Sequence, residues 1–422
     1  MLPLSQTFML QCVSDFIYGR ETTASVAAGT DRIEKESPEG KKHRLLLNWS
    51  EIFEIAGKQS LEGILYYQCR DQMPKNIKKR YFRHYLANGV FSIEREKVVR
   101  ELATHLEEQR IQVIFMKGAV LRDYYPVPQL RSMGDIDFVI RPEDREETDW
   151  ILRNQMGFER SIDVHEVWTY WKGKIYLEVH SHMFYAELAN RTDYRSYFDH
   201  VWEHCHKGMV FGVSSDSILV PDVEYHFLYL AVHTAKHIIA SGSGFRAYMD
   251  MAILGREAVG MDWDYISKEL EQLSLREFAA TCMTLCERWF GTSSPMGLEK
   301  ADEEFLVSVT EKTFRDGVFG LENSENVEAD TAKQMRRFDG PYYIGALKQT
   351  VRKLFPAYRD MQLIPWYSFV NGRPWLLPFA WIYRWIYCGT LKMRHSWKKL
   401  AIPFANKTEV EIRQEYLSKW GL

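Results

Sequence analysis

The chain of 422 residues has 46% hydrophobic, 14% aromatic and 26% charged residues, which is the composition of an ordinary globular protein. Wholesale disorder and fibrous folds are therefore excluded, and at roughly 150 residues per domain the length predicts two or three domains, or one α/β core with large helical additions. The formal net charge of −3 argues against a protein that coats nucleic acid through its overall charge, although it is compatible with a local basic patch.

The six cysteines are dispersed along the chain, so the sequence predicts neither a zinc ribbon nor a disulfide framework. The N-terminal stretch has no basic start and contains Asp15 within its apolar run, which does not fit a signal peptide. No uncharged run reaches the roughly 18 apolar residues that a membrane-spanning helix needs. We therefore expect a cytoplasmic protein.

The N-terminal part predicts helices and one irregular stretch. Residues 1–20 have apolar positions at helical spacing, and the polar residues 21–43 predict a mobile connector. Asn48 or Ser50 can cap a helix that continues to about residue 70. A second helix is predicted over 93–109, where apolar residues recur on one face.

The following segment predicts short strands. Apolar and β-branched residues over 111–118 predict a strand that ends at a glycine, and 135–140 predict another that ends at Arg141-Pro142. A charged helix is predicted over 142–156. Two further strands would join as a hairpin at 172–174, where glycine suits the turn. Beyond about Pro221 the pattern is helical through about residue 290, with a break of glycine and serine at 241–244.

Two carboxylates stand two residues apart on the strand predicted over 135–140. Asp135 and Asp137 therefore point to the same face, where like charges repel unless a cation lies between them. Mg²⁺ prefers oxygen ligands and commonly combines one or two carboxylates with substrate phosphates. An isolated Asp-x-Asp is more often a solvated strand end. Here Lys117-Gly118 ends the preceding strand at a position suited to phosphate oxygens, and Glu178 in the hairpin could add a third carboxylate.

These motifs resemble a known family. The string FMKGAVLRDYYPVPQLRSMGDIDFVI, followed by YLEVH, resembles the bacterial family of uncharacterised nucleotidyltransferases within the DNA polymerase beta superfamily, and HTAKH and FRAYMDMAIL resemble its helical part. The resemblance covers roughly residues 50–300. It implies an α+β fold with a polymerase-beta-type nucleotidyltransferase core, built on a mixed sheet with flanking helices, plus a helical module. The corresponding predicted division is an N-terminal helix and connector (1–45), the core (46–215), the helical module (216–330) and a basic, aromatic-rich segment (331–422).

The resemblance also implies a reaction and its residues. Asp135, Asp137 and Glu178 would hold two divalent ions, Mg²⁺ or Mn²⁺, one activating an acceptor hydroxyl and one bridging the phosphates of an NTP. A nucleoside monophosphate would pass to the acceptor, which could be a small molecule, a protein or tRNA, and pyrophosphate would leave. Many members of the superfamily have Gly-Ser where this chain has Lys117-Gly118, so Lys117 or Arg131 would make the phosphate contact. Arg131 could alternatively pair with Asp135.

Two other functions are compatible with parts of this pattern. A nucleotide-sugar glycosyltransferase can use an Asp-x-Asp pair with a divalent ion, although it does not require the Lys-Gly before the pair or the hairpin carboxylate after it. A non-catalytic nucleotide-binding protein of the same fold would be indicated by the loss of a carboxylate, and Asp135, Asp137 and Glu178 are all present.

Several histidines and one charged pair have both structural and functional interpretations. Glu178, His180 and His182 share one strand face and could hold zinc, but we expect His180 to form a hydrogen bond within the site. The stripe formed by His226, His233 and His237 is expected to be partly buried and hydrogen-bonded. Arg246 and Asp250 predict an ion pair on a helix surface. The resemblance would instead place that helix at the cleft, with a role in holding the nucleotide or the acceptor.

The C-terminal segment is compositionally distinct, because residues 341–400 contain ten Lys or Arg against one acidic residue, together with 14 aromatic residues. Basic residues interleaved with aromatic ones can bind nucleic-acid strands or lie in a membrane interface, which allows a weak contact with a polyanion or a membrane surface. We expect instead that the segment packs on the helical module. In that case four tryptophans belong to the core: Trp366, Trp375, Trp381 and Trp385.

Overall fold

The computed structural model describes most of the chain, namely residues 2–22, 32–36, 42–161, 167–184, 188, 192–257, 260–293, 295–298, 302–318, 342–358, 361, 365–390 and 407–422. The fold is α+β, with a mixed sheet flanked by helices and a long helical region after the last strand. Within the described residues, no helix is both long enough and apolar enough to cross a membrane.

In the part of the chain that the structure describes, seven strands form one mixed sheet and two others form a separate antiparallel pair. The strands are β1 Arg32–Glu36, β2 Lys42–Leu46, β3 Val113–Phe115, β4 Ile136–Val139, β5 Glu159–Arg160, β6 Val167–Lys172, β7 Ile175–His180, β8 Cys205–Val210 and β9 Val213–Pro221. The large sheet has the order β5-β6-β7-β4-β3-β9-β8, in which β4 pairs parallel with β7 and β3 pairs parallel with β9. All residues of β3 and β4 are buried, because these central strands are covered on both faces.

The helices surround this sheet and continue beyond it. They are α1 Leu4–Ile17, α2 Trp49–Gln59, α3 Glu62–Cys69, α4 Lys75–Glu108, α5 Gly118–Leu121, α6 Arg145–Trp150, α7 Tyr194–Phe198, α8 Val223–Ala240, α9 Phe245–Glu257, α10 Trp263–Gln272, α11 Arg276–Phe290, α12 Glu303–Asp316, α13 Tyr342–Leu354, α14 Leu377–Thr390 and α15 Lys407–Lys419. One face of the sheet packs on α4, and the larger apolar cluster joins α1–α3 to α8–α12 and to the C-terminal residues Leu417 and Trp420.

The predicted elements of the core are confirmed. The strands at 111–118 and 135–140 are β3 and β4, and β6 and β7 form the predicted hairpin with Gly173 at φ 62° in its turn. Asn48 accepts a hydrogen bond from the backbone N–H of Glu51 and so caps α2. The helix predicted to continue to residue 70 is interrupted, because Ser60 adopts a left-handed conformation that separates α2 from α3.

Three features differ from the sequence-based expectations. The stretch predicted as a connector contains the paired strands β1 and β2, while residues 23–31 and 37–41 lie outside the described part. Helix α4 begins at Lys75, well before residue 93. The sequence pattern did not indicate its first turns because they are largely exposed and carry few core positions. Strands β8 and β9 were not predicted, although β9 is a full member of the sheet beside β3.

The packing predicted for the C-terminal tryptophans is wrong for two of them. Trp375 is 68% exposed and Trp385 is 39% exposed, whereas Trp381 is partly buried against a small cluster that includes Met361 and Tyr367. That cluster is separate from the main core. The side chain of Trp366 and all of residues 391–406 lie outside the described part. The basic segment therefore forms a local unit that leaves large aromatic side chains in contact with solvent.

Candidate active site

Strand pairing brings the three predicted carboxylates together. Asp137 on β4 is the direct partner of Glu178 on β7 in a parallel register, so their side chains share one face of the sheet. Asp135 immediately precedes β4 and, by strand alternation, lies on the same face as Asp137. The chain thus brings together carboxylates that are 43 positions apart, such as Asp135 and Glu178, through the β4–β7 pairing.

Lys117 adopts a backbone conformation that normally favours glycine. Its φ is 52° and its ψ is −128°, at the turn between β3 and α5, and residues other than glycine rarely adopt a positive φ. A non-glycine residue in this region costs of order 1–3 kcal/mol and persists only where its surroundings determine it. Two contacts do so: the backbone N–H of Lys117 donates to Nε2 of His226 at 3.1 Å, and Nζ donates to Oδ1 of Asp137 at 2.5 Å.

The Lys117–Asp137 ion pair sets the charge at the centre of the site. Burial by itself would raise the pKa of Asp137, but the Lys117 ammonium and the hydrogen bond from His180 hold it well below its ordinary value. Burial would likewise lower the pKa of Lys117, and the Asp137 carboxylate instead raises it. Both groups are therefore charged at neutral pH, and Asp137 remains an anion although its side chain is buried.

His180 connects two of the carboxylates. Its Nε2 lies 3.2 Å from Oδ1 of Asp137 and 3.6 Å from Oε2 of Glu178. One ligand atom from each of these three residues lies within 4.8 Å of the other two, so the group could hold a metal ion. Lys117 and His180 both contact Oδ1 of Asp137, and among the described residues Oδ2 has no such contact. Carboxylate oxygens grouped in this way fit a divalent cation.

Asp135 is the third carboxylate of the acidic group, and its pKa is raised where that of Asp137 is lowered. Burial, Asp137 and Glu178 raise the pKa of Asp135 to about 6, against the opposing effect of Lys117 and Arg246. The carboxyl group of Asp135 therefore changes between its protonated and ionised forms near pH 6. A cation placed among these three carboxylates would favour its ionised form.

Arg131 is bound to a carboxylate other than the one predicted. Its Nη2 donates to Oδ2 of Asp250 at 2.6 Å and its Nε donates to Oδ1 at 3.2 Å, so the pair is bidentate and buried. Tyr125 also donates to Oδ1 of Asp250, at 2.7 Å. The predicted alternative of an Arg131–Asp135 pair is therefore wrong, and so is the surface ion pair predicted between Arg246 and Asp250. Arg246 instead donates to the carbonyl of Ser132 at 3.3 Å.

The guanidinium of Arg131 also packs directly on Gly118. A Cβ added at Gly118 would lie 2.9 Å from Cζ of Arg131, and closer still to Nη1. Glycine is therefore required here by close packing, and Arg131 supports the turn that positions Lys117.

A cavity of about 320 Å³ lies over these residues. One side is formed by the acidic group together with Lys117, Gly118 and Arg131, and the other side by helices α8 and α9. The lining residues from these two helices include Tyr229, His233, Lys236, His237 and Arg246. The cavity is thus acidic where the strands end and has cationic side chains around it.

The three histidines of α8 are hydrogen-bonded, as predicted, but only His226 and His233 are buried or partly buried, and His237 is exposed. His226 accepts the hydrogen bond from Lys117, and His233 and His237 lie with their Nε2 atoms 3.0 Å apart. Burial lowers the pKa of His226 to about 4, and it lowers the pKa of His233 well below its ordinary value. These two imidazoles are therefore neutral at pH 7.

The structure brings together all six residues predicted for the site: Lys117, Gly118, Arg131, Asp135, Asp137 and Glu178. His180 joins them, as expected from its hydrogen bond, whereas His182 pairs with Asp199 and Arg195 outside the acidic group. The sequence did not indicate that Tyr229 and Lys236 line the cavity. Their positions on α8, one helical turn from His233, would have been the signal.

The structure combines a mixed sheet, carboxylates on its strands, a Lys-Gly turn and a cavity under two helices. These features define a class of protein with an acidic site that could hold a metal ion. The sequence profile of the family described as "Uncharacterised nucleotidyltransferase" matches residues 46–291, which is more than half of the chain. The chain belongs to this family. No curated protein and no solved structure matches the chain. Family membership supports nucleotidyl transfer as the general activity.

Proposed function

We propose that the protein is a Mg²⁺-dependent or Mn²⁺-dependent nucleotidyltransferase that transfers a nucleoside monophosphate from an NTP to a hydroxyl group of an acceptor. The observation that supports this most directly is the placement of Asp135, Asp137 and Glu178 on one face, through the β4–β7 pairing, beneath a cavity lined by Lys117 and Arg246. Since an NTP is the proposed substrate, we place the activity in the cytoplasm.

The reaction exchanges a phosphoanhydride bond of the NTP for a phosphoester bond to the acceptor. The acceptor oxygen forms a bond to the α-phosphorus, the bond from that phosphorus to the bridging oxygen breaks, and pyrophosphate leaves while the hydroxyl gives up its proton. Divalent ions held by Asp135, Asp137 and Glu178 would lower the charge on the attacking and leaving oxygens. His180 keeps Asp137 and Glu178 in position through its contacts with both carboxylates.

The cationic side chains form the proposed phosphate subsite. Lys117 lies at the cavity wall, and the close packing of Gly118 on Arg131 holds the turn that places it there. Arg131 contributes positive charge and holds the Lys117-Gly118 turn, while its guanidinium stays bound to Asp250. Arg246 reaches the cavity with a carbonyl of Ser132 as its hydrogen-bond partner, so it can turn to a phosphate at low cost.

The metal assignment predicts a synergy between metal and nucleotide. MgCl₂ or MnCl₂ together with an NTP should raise the melting temperature by more than the sum of the separate effects, because ligands that bind only the folded state stabilise it by mass action. Asp137→Asn should abolish this synergy, since the amide cannot offer the same anionic oxygens. The measurement is thermal denaturation of both proteins with metal, NTP, and both.

The exposed Asp264 on α10 provides the matched control, so Asp264→Asn should retain the synergy of the unmodified protein. Equal synergy in Asp137→Asn and in the unmodified protein would contradict the metal assignment. Asp137→Asn must also keep a cooperative melting transition, because the loss of its ion pair with Lys117 affects stability as well.

Acceptor and reaction type can be tested together. The protein is incubated with NTPs labelled at the α-phosphate, Mn²⁺ or Mg²⁺, and candidate small molecules, proteins or tRNA, and both labelled product and released pyrophosphate are measured. A glycosyltransferase would transfer no α-phosphate and would require a nucleotide sugar. A non-catalytic nucleotide-binding protein would show the thermal synergy without any product.

A further inference from the structure

Helix α13 turns an apolar stripe towards solvent. Its exposed apolar positions recur at intervals of three and four residues and continue just past its end, with Ile344 55% exposed, Leu347 57%, Val351 45% and Phe355 40%. This is the spacing by which an amphipathic helix normally faces a core. Here the stripe has no core against it among the described residues.

Helix α14 repeats this arrangement. Its inner side places Ala380 and Trp381 against the small cluster formed with Met361 and Tyr367. Its outer side exposes four large apolar residues, which are Phe379 at 63%, Ile382 at 49%, Tyr383 at 49% and Ile386 at 60%. Trp375, which is 68% exposed, lies in the turn of helix directly before α14.

Phe355, at the end of the α13 stripe, contacts the side of α14 that carries Trp381 and Trp385. Its ring packs edge-on against Trp381 at 5.2 Å and against Trp385 at 5.0 Å. The indole N–H of Trp385 donates to the carbonyl of Leu354 at 2.8 Å, which ties the end of α13 to α14. The exposed apolar residues of these two joined helices are together called the aromatic face, and they are Ile344, Leu347, Val351, Phe355, Trp375, Phe379, Ile382, Tyr383, Trp385 and Ile386.

The charges around the aromatic face are of one sign. Lys348, Arg352 and Arg373 are exposed and Arg384 is partly exposed, and the described residues between 342 and 390 include no acidic side chain. An apolar surface of this extent is unusual on a soluble monomer and marks an interaction site. Aromatic and aliphatic side chains bordered by cations match the interface of a bilayer that contains anionic lipids.

We propose that the aromatic face binds the surface of an anionic lipid bilayer, with α13 and α14 lying in the plane of the interface. Their 13 and 14 residues correspond to about 20 Å of helix, which is shorter than the roughly 30 Å hydrocarbon core, so the helices lie on the bilayer and do not cross it. Tyrosine and tryptophan are the residues enriched at the level of the lipid headgroups. This inference does not depend on the proposed catalytic function.

Two other partners fit the aromatic face less well. A nucleic acid would stack its bases on aromatic rings, but five of the ten residues are aliphatic and offer no stacking surface: Ile344, Leu347, Val351, Ile382 and Ile386. A second copy of the chain would bring two basic surfaces together with no acidic partner among the described residues of the segment, and such like-charge contacts oppose association.

The test is co-sedimentation of the full chain with vesicles of phosphatidylcholine alone and with vesicles of equal parts phosphatidylcholine and phosphatidylglycerol. We expect binding to the anionic vesicles that weakens as salt is added, because screening reduces the contribution of the cations. The double variant Leu347→Gln/Phe379→Gln should partition about tenfold less or weaker still, since it removes two apolar side chains from the buried interface. Arg352→Glu/Arg373→Glu should weaken binding to the anionic vesicles selectively.

Met209→Gln is the matched control for the apolar variant, because Met209 is 57% exposed on β8, outside the aromatic face. It should bind vesicles as the unmodified protein does, and all variants should melt at similar temperatures because the changed side chains are exposed. Absence of binding to the anionic vesicles would overturn the proposal. So would binding that Leu347→Gln/Phe379→Gln leaves unchanged, association with single-stranded oligonucleotides in place of vesicles, or a dimer that this double variant dissociates without any vesicle binding.

Discussion

At the scale of single residues, the proposed function gives Lys117 two roles that compete for the same side chain. It neutralises Asp137 within the folded protein, and it lies at the wall of the cavity where phosphate would bind. Its unusual backbone conformation is energetically unfavourable, and the hydrogen bonds to His226 and Asp137 offset this free-energy cost. A bound cation would take over the neutralisation of Asp137 and allow Lys117 to contact phosphate.

The raised pKa of Asp135 predicts a pH-dependent stability in the absence of ligand. Because the pKa rises from 3.8 to about 6 in the folded protein, the stability contributed by the protonated form is present below about pH 4 and is lost as pH rises through about 6. Asp135→Asn keeps the neutral form at every pH. It should therefore stabilise the protein by about 1–2 kcal/mol above about pH 7 and change little near pH 4.

Urea unfolding across this pH range in the presence of a chelator measures the effect. Glu101→Gln on the exposed side of α4 serves as the control, for which no such pH-dependent gain is expected. If Asp135→Asn destabilised the protein at about pH 8, or stabilised it equally at all pH values, ionisation of Asp135 would not destabilise the folded protein.

Arg131 and Arg246 are expected to differ in what they contribute. Arg131→Ala leaves Asp250 buried without its bidentate partner, so the free energy of unfolding should fall by about 3–5 kcal/mol. The double variant Arg131→Ala/Asp250→Ala should lose less than the sum of the two single losses, because the pair acts as a unit. Arg246→Ala should keep most of its stability and weaken NTP binding by about tenfold, through the loss of one charge-assisted contact.

Urea unfolding and NTP titration of the four variants separate these roles. If Arg246→Ala bound NTP as tightly as the unmodified protein, the phosphate subsite would have to be assigned without it. Additive losses for Arg131 and Asp250 would contradict their assignment as a coupled buried pair.

At the scale of elements, the site depends on how the β3–α5 turn packs against the loop that leads to β4. Arg131 in that loop lies on Gly118, and Asp250 on α9 holds Arg131 from the other side. Three separate elements thus determine where Lys117 stands. The turn has little room to adjust, because the guanidinium is held by two oxygens of Asp250.

Gly118→Ala should therefore destabilise the protein by about 1–3 kcal/mol, because the added Cβ would overlap the guanidinium of Arg131. Gly134→Ala is the matched control in the following loop, since no atom lies within 4 Å of a Cβ added there and its φ is not positive. Thermal denaturation compares the two variants. Equal stability of Gly118→Ala and Gly134→Ala would show that Arg131 can move away without cost.

At the scale of the whole molecule, the C-terminal part divides in two. Helix α15 returns to the main core, where Leu417 and Trp420 are fully buried and Trp420 packs against Phe278 and Phe305. The preceding segment has its own small cluster, which includes Ala380 and Trp381 of α14, and helices α13 and α14 expose the aromatic face. Truncation before residue 341 would remove both parts at once, so single substitutions are the sharper test.

Trp420→Ala should lower the free energy of unfolding by about 3–5 kcal/mol, because it removes a large buried side chain and leaves a cavity. Trp375→Ala should change it by less than about 0.5 kcal/mol, because that side chain is 68% exposed. Urea unfolding of the two variants provides the comparison. A large loss for Trp375→Ala would show that this indole is buried in solution.

The sequence by itself determined many of the local elements and predicted which residues would meet at the site. Hydrophobic spacing, the Asn48 cap and the glycine turn at 172–174 are local signals, and they predicted the helices of the core and the β6–β7 hairpin. The spacing of Asp135 and Asp137 placed both on one face because side chains alternate along a strand. The Lys117-Gly118 turn was identified at the end of the preceding strand, and Glu178 was identified within the second strand of the hairpin.

Only the tertiary structure decided which charges meet. Arg131 pairs with Asp250 and not with Asp135, although Asp250 is 119 positions away along the chain, because α9 packs beside the loop that contains Arg131. In the same way, the composition of residues 341–400 could not show whether its tryptophans are buried. Local patterns report the periodicity of an element, whereas the partner of a side chain depends on long-range packing, which neighbouring residues in the sequence do not specify.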